Sequence, residues 1–335
     1  MHDRASLHAL RLSPMTAPAP TGFVRHESSL LHHMGAGHPE APRRLEHLQR
    51  HLEQCGLLAE FERLVPRRAS DEELARVHDP VYVEALRAAC ATGATGPRSL
   101  DADTAVVQAS WDAATYSAGG VLEAVERVQA RHWSNAFVAT RPPGHHAEYG
   151  HAMGFCLFNN VALGARHLLE LHGLERVAIV DFDVHHGNGT QHSFERDARV
   201  FYASLHQSPA YPGSGLASER GLGAGGGSTL NLPMQPGSGD AEWLAAFEGT
   251  LLPALESFAP EFVLLSAGFD AHRLDPLAQC QLSEEGFRAM SAGLLQLASQ
   301  SAGGRLVSVL EGGYHPQALA QSAAAHLECL LEARA

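Results

Sequence analysis

Residues 177–189 read VAIVDFDVHHGNG. The unbroken apolar run Val177 to Val180 suits a strand buried on both faces, as in a parallel sheet. Directly behind it come Asp181, Asp183, His185 and His186, and the stretch closes on Gly187, Asn188 and Gly189. In extended chain alternate side chains point the same way, so Asp181, Asp183 and His185 share a face. A strand running into such a cluster delivers it to the carboxyl edge of a sheet, where open α/β folds bind their ligands. Carboxylates beside a neutral imidazole suit Zn²⁺, Fe²⁺ or Mn²⁺. Two aspartates alone would read as turn caps; four ligand-type groups after a buried strand point to a metal.

Three other stretches have the same form. A brief buried strand, Ala136–Thr140, empties into Arg141-Pro-Pro-Gly-His-His146. The prolines and Gly144 stiffen the backbone and hold His145 and His146 at a defined angle. Paired imidazoles titrate near neutrality, which suits general acid/base work. The strand Phe262–Ser266 leads to Asp270, the natural third metal ligand beside Asp183 and His185, and three protein ligands leave coordination open for water and substrate. The strand Leu306–Leu310 leads to Glu311-Gly312-Gly313-Tyr314, where the glycines let a phenol swing over a site and hydrogen-bond an oxyanion.

Between these strands lie helical spacings. Leu45, Leu48 and Leu52 share a face of a helix that Gly56 stops, Ser70-Asp-Glu-Glu is a capping-type start, and Asp79-Pro80 opens another helix. Further helices are predicted over about 105–131, 158–172, 240–258 and 283–300 and from about 316, with a further strand at Val200–Leu205 and loops at 91–104 and 212–239. Strands alternating with helices predict a mostly parallel α/β sheet flanked by helices, with polar residues gathered after the strands. Residues 1–20 read as a loosely ordered extension and 21–335 as one catalytic domain.

The bulk numbers bound the function. The 335-residue chain carries a formal charge of −13, with 22 histidines counted as neutral. That balance argues against a nucleic-acid phosphate binder. Five dispersed cysteines without a CxxC read as reduced thiols, no signal peptide or membrane-length apolar run is present, and the expected compartment is the cytoplasm. A homo-oligomer is compatible with the sequence.

RPPGHH, GFCLFNN, DFDVHHGNGT, SLHQ, SAGFDAH and EGGY follow one another between about His38 and Tyr314. In that order they resemble the histone deacetylases and their bacterial relatives, the acetylpolyamine amidohydrolases, of the arginase/deacetylase fold, with a class II pattern. The resemblance implies that Asp183, His185 and Asp270 hold Zn²⁺ (Fe²⁺ being the alternative in cells), and that His146 is the general base. It implies that His145 tunes the electrostatics near the leaving group, that Asp181 is its carboxylate partner, and that Asn188 partners His146. A neutral Asn where other members carry Asp implies a less basic His146. Tyr314 would polarise the acyl carbonyl. Gly154 and Phe155 would form one wall of an acyl-lysine channel, Tyr211 the facing wall, with Gly313 and Leu277 lining it and Asp103 gripping a substrate main-chain amide at the rim. Leu277 falls where a polyamine-specialised branch has an acidic gatekeeper. Arg44 resembles an internal arginine near the acetate pocket, with an ion pair in the first helix as its other reading. A structural K⁺ would be held, largely through backbone oxygens, by Asp181, Asp183, His185, Ser204 and Leu205, and an outer cation by Phe194, Asp197 and Val200. His186 and Cys156 are expected to be structural.

The function so implied is zinc-dependent hydrolysis of acylated lysine side chains in a peptide or protein. Deacetylation of small acetylated polyamines or other amines is the alternative, and a non-catalytic acyl-lysine reader a further one. A di-manganese arginase-like hydrolase would need more bridging carboxylates than the chain supplies.

Overall fold

The computed structural model describes residues 19–92 and 96–333. The proposed extension therefore lies outside the described residues except for its last two positions. Ten strands are formed: β1 (Gly22–Val24), β2 (Glu62–Leu64), β3 (Arg98–Ser99), β4 (Ala105–Val106), β5 (Asn135–Val138), β6 (Val177–Asp181), β7 (Val200–Gln207), β8 (Thr229–Met234), β9 (Phe262–Ala267) and β10 (Leu306–Leu310). Eight of them make one parallel sheet in the order β2-β1-β5-β10-β9-β6-β7-β8, and β3 and β4 pair as a separate antiparallel ribbon. Ten helices connect them: α1 (Arg43–Gln54), α2 (Asp71–Leu74), α3 (Pro80–Thr92), α4 (Ser110–Gln129), α5 (Asn160–Leu171), α6 (Asn188–Phe194), α7 (Asp240–Ala246), α8 (Leu252–Phe258), α9 (Glu284–Ser301) and α10 (Pro316–Glu332).

Strand alternation divides the core. Ala178, Val180, Val263 and Leu265 pack with Leu45, Leu48 and Leu52 of α1 and with α9 and α10 on one face. Val177, Ile179, Phe262 and Leu264 pack with α4 and α5 on the other. Burying each such side chain contributes about 1.5–3 kcal/mol, and covering both faces is what makes these strands read as continuous apolar runs.

Local chemistry sets most boundaries as expected. Ser70 and Glu73 form a complete capping box, and Gly56 takes a left-handed φ of 74° after α1. Three differences have physical causes. The long helix starts at Ser110 rather than 105, because Ala105–Val106 pairs with Arg98–Ser99 and Ser110 Oγ accepts the Val107 N–H at 2.9 Å. The Gly-rich region 212–239 contains β8; flanking glycines hide it, and Pro233 is tolerated because β8 is an edge strand. The opposite edge, β2, is a three-residue, mostly exposed ERL segment with no hydrophobic pattern to find; short charged edges also discourage pairing with other chains.

One buried charge cluster anchors the loop after β5. Arg141 donates through Nε and Nη2 to the Glu40 carboxylate, Arg44 Nη1 donates to Glu40 Oε1 at 3.1 Å, and all three side chains are fully buried. Burial alone would raise the Glu40 pKa; the Arg141 guanidinium and its hydrogen bond overcome this and hold it at about 2. A depressed carboxylate pKa stabilises the fold above the unfolded value, and that stability is lost as pH falls toward 2. Glu40→Gln leaves two guanidiniums under-compensated and is expected to cost about 3–5 kcal/mol at pH 7, with a smaller penalty at pH 3. Urea denaturation midpoints of the two proteins at both pH values test this.

Candidate active site

β5, β10, β9 and β6 are neighbours in the sheet, and their carboxyl ends carry the four loops singled out above. Asp181 ends β6, and the chain beyond it makes one tight passage before α6 starts at Asn188. His185 Nδ1 lies 3.0 Å from Asp183 Oδ1 and 3.1 Å from Asp270 Oδ2. All three side chains are buried. Backbone N–H groups aim the carboxylates: Gly312 donates to Asp183 Oδ2 at 2.8 Å and Val184 to Asp270 Oδ1 at 2.8 Å. A Cβ on Gly312 would lie 2.1 Å from Asp270 Oδ2, so only glycine lets the loop after β10 close over the ligand carboxylates.

This triad fits a divalent cation. One imidazole nitrogen faces two carboxylate oxygens, which a single proton serves poorly, and among the described residues no arginine pairs with either aspartate. Burial raises the Asp270 pKa, and the adjacent Asp183 raises it further; two such groups are comfortable together when a metal shares them. Two carboxylates and one imidazole suit Zn²⁺ or Fe²⁺ and leave positions open.

A second group, Glu126, His167 and His172, also brings donor atoms within 4.8 Å of one another. Its chemistry differs. Arg76 Nη1 stands 3.3 Å from His167 Nδ1, and a guanidinium only donates. Nδ1 is therefore the acceptor and Nε2–H donates to the Glu126 carboxylate, which His172 Nε2 also meets, at 3.0 Å. It is a hydrogen-bonded tie between α4 and α5.

The histidine pair lies beside the triad. His145 Nδ1–H donates to Asp181 Oδ2 at 3.0 Å. Burial would lower the His145 pKa, but the Asp181 and Asp183 carboxylates hold it up at about 10, so the ring is a cation. His146 behaves oppositely. Burial, then the charges of His145 and His185, push its pKa well below the usual value. Its Nδ1–H donates to Asn188 Oδ1 at 2.8 Å, which leaves Nε2 without a proton. Burial rather than the neutral Asn188 is the leading reason for this low basicity.

Tyr314 completes the floor. Its backbone N–H donates to Asp275 Oδ2 at 2.6 Å, and Arg44 stacks 4.9 Å from its ring centroid while donating from Nε to Gly313 O at 2.6 Å. Arg44 thus backs Tyr314 and pairs with Glu40, which precedes α1 rather than lying in it. Burial pushes the Tyr314 hydroxyl well above pH 10, so it keeps its proton.

Above this floor is a cavity of about 210 Å³ lined by Asp103, His146, Gly154, Phe155, His185, Tyr211, Leu277 and Tyr314. Larger surface grooves lie away from the triad. Phe155 meets Tyr314 edge-on at 5.7 Å, and Tyr211 meets His146 edge-on at 5.1 Å. Gly154 has φ +55°, and a Cβ there would strike the His146 ring at 2.4 Å. Asp103 is tied in through Thr104, whose Oγ1 donates to Asp103 Oδ1 and accepts the Phe155 N–H. Ser204 pairs in register with Asp181 and is followed by Leu205; both are buried, and they stand apart from the cavity on β7. The Asp197 carboxylate is committed to Arg166 and Arg199. His186 is held by Ser214 and Gln191, and Cys156 is buried with its thiol pushed well up by burial; neither is among the residues that line the cavity.

Sequence reasoning passed over Thr104, Glu148, His192, Asp275 and the carboxylate of Glu311. The last accepts the Gly144 and His145 N–H groups at 2.6 and 3.1 Å. Glu148, two positions after His146, and Asp275, in the Asp-Pro-Leu stretch before Leu277, carried a signal in their proximity to the motifs.

A buried metal-type triad, a cationic and a neutral histidine and a protonated phenol at the end of a narrow cavity define a hydrolase acting on a polar carbonyl. Comparisons specify it. Residues 38–330 match the histone deacetylase domain model. A probable deacetylase of Archaeoglobus fulgidus is 40% identical over 88% of this chain and 81% of its own. A histone deacetylase-like amidohydrolase of Pseudomonas aeruginosa is 42% identical over 83% and 73%. The human polyamine deacetylase is 41% identical over 87% of this chain and 44% of its own. A crystal structure of the HDA15 HD domain superposes with TM-score 0.89 at 37% identity, covering 94% of this chain and 89% of that one. The chain belongs to the histone deacetylase family and is a metal-dependent hydrolase of that family. No helix among the described residues is long and apolar enough to cross a membrane.

The two ligand-type clusters make opposite predictions. Asp270→Ala should reduce bound divalent metal from about one ion per chain to near zero, whereas Glu126→Ala should leave it unchanged. Elemental analysis after dialysis distinguishes them, and equal loss in both variants would reject the assignment.

Proposed function

We propose that this enzyme hydrolyses the amide of acetylated lysine side chains, using Zn²⁺ held by Asp183, His185 and Asp270. One observation carries the reading. The cavity is lined by the Phe155 and Tyr211 rings together with His146, whose Nε2 carries no proton, and Tyr314. Aromatic rings suit an aliphatic lysine stem, and His146 and Tyr314 are the polar groups that its amide would meet.

The bound cation would supply Lewis acidity toward water and the scissile carbonyl. His146 Nε2 takes the proton from the attacking water and returns it to the departing amine. Asn188 holds the ring during both transfers. The Tyr314 hydroxyl, kept protonated by burial, donates to the carbonyl oxygen as negative charge grows there. The His145 cation, held by Asp181, adds favourable potential beside that charge. The products are acetate and the free amine. We also assign K⁺ to the end of β6 and the loop after it, with the neighbouring part of β7, at Asp181, Asp183, His185, Ser204 and Leu205.

Leu277 favours an acyl-lysine peptide over a polyamine: it is 41% exposed at the mouth and offers no charge to a distant ammonium. Asp103, on the same rim, can accept a substrate main-chain N–H. All 24 basic residues of the chain are arginine, so the enzyme contains no lysine side chain that could be its own substrate.

Zinc-loaded protein assayed on acetyl-lysine peptides and acetylated polyamines should show the higher kcat/KM on peptides. Leu277→Glu should shift that ratio toward polyamines by about two- to fivefold, one charge pair at a partly exposed site. A wild-type preference for polyamines would overturn the substrate assignment. Tyr314→Phe should lower kcat by roughly 100-fold with metal content intact. Wild-type turnover in that variant would sink the role given to the phenol.

A further inference from the structure

Asn188 has an ambiguity that an aspartate in its place would lack. Its side chain ends in one acceptor and one donor group, and either could face His146. If Nδ2 faced the ring, His146 Nδ1 would have to accept, its proton would move to Nε2, and the atom pointing into the cavity could no longer take a proton from water. Asn188 shows the productive orientation, with Oδ1 toward His146 Nδ1 at 2.8 Å. Asn188 Nδ2 has only a long 3.4 Å contact with His146 O on the near side, and its strong partner lies on the far side. Asn188 Nδ2 donates to Glu148 Oε1 at 2.5 Å, and an ionised carboxylate only accepts.

Glu148 is itself fixed. Its side chain is largely buried, its backbone N–H donates to His151 O at 3.0 Å, and His78 Nδ1–H donates to its carbonyl at 2.9 Å. His192, one turn along α6 from Asn188, donates from Nδ1 to Glu148 Oε1 at 2.8 Å and is half exposed to solvent. Four side chains thus run in line from the cavity to the surface: His146, Asn188, Glu148 and His192.

We propose that Glu148 is a positioning residue for the deacetylation reaction: it locks the Asn188 amide in the orientation that keeps His146 Nε2 free to act as base, and His192 steadies Glu148 from outside. The chain recovers through a second residue the one-way hydrogen bonding that a carboxylate at position 188 would provide directly. Glu148 touches no substrate and acts only through Asn188. The proposal rests on the reading of His146 as the base.

The test is a double-mutant cycle on the zinc-loaded enzyme with an acetyl-lysine peptide or acetylated polyamine, whichever the wild type hydrolyses. Glu148→Ala should lower kcat about 10- to 100-fold, the range for removing a partner one step behind a ligand or base, with KM within about twofold and metal content unchanged. Asn188→Asp changes the outcome, because a carboxylate cannot be turned the wrong way and is better off without Glu148 beside it. In that background Glu148→Ala should leave kcat unchanged or raise it. A Glu148 that served only local packing would cost the same factor in both backgrounds, and that result overturns the proposal. So does wild-type kcat in Glu148→Ala. His192→Ala, which leaves Glu148 in place, should reduce kcat less than Glu148→Ala; a larger loss contradicts the order of the chain. A wild type inactive on every acetylated amine would instead defeat the functional reading, separately from these outcomes.

Discussion

Two carboxylates, Asp183 and Asp270, are buried around a single imidazole nitrogen of His185, and much of the molecule serves to make that tolerable. Isolated buried carboxylates would protonate or swell the site with water. Here they are aimed by the Gly312 and Val184 N–H groups and brought together by loops of three different strands, β6, β9 and β10. A parallel sheet is well suited to this. Its strands all point one way, so each connection leaves a loop at the same edge, and helices on both faces exclude solvent from the strands behind it.

The same low-dielectric setting splits the two adjacent histidines. Their rings are 4.0 Å apart, yet one is held cationic and the other neutral. His145 has the Asp181 carboxylate at hydrogen-bond distance; His146 has an amide there, and it feels His145 and His185 as neighbouring charges. Different partners on two consecutive residues thus produce one fixed charge and one free base. Separate roles for a histidine pair require this kind of asymmetry.

A layer of buried polar groups holds these residues in place. Glu40 ties Arg141 and Arg44 together, so the loop bearing the histidines and the ring of Tyr314 share one ionic anchor. Asp275 accepts the N–H groups of Tyr314, His315 and Leu277, joining the floor of the cavity to its mouth. Glu311 accepts from Gly144 and His145. Each is a carboxylate receiving hydrogen bonds from a segment that would otherwise be a mobile loop, and reacting groups must be held to fractions of an ångström.

Read alone, the sequence determined the parallel α/β class and the residues at the strand ends, because buried parallel strands are continuous apolar runs and their polar successors stand out against them. It also singled out Asp183 and His185 within DFDVHHGNG and Asp270 from another strand, the three groups that the structure brings together. It did not show β2, a short exposed edge, β8, whose alternating apolar residues sit among glycines, or the start of α4, set by the pairing of Ala105–Val106 with Arg98–Ser99. Only the tertiary structure revealed the second His-and-carboxylate group, Glu126, His167 and His172, and the Arg76 contact that sets it apart, which lies 91 positions from His167. Likewise the partner of Asn188 is Glu148, forty residues away, and the Glu40 anchor spans 101 residues to Arg141. Hydrogen-bond direction and burial depend on which side chains meet in space, and a single sequence does not record those meetings.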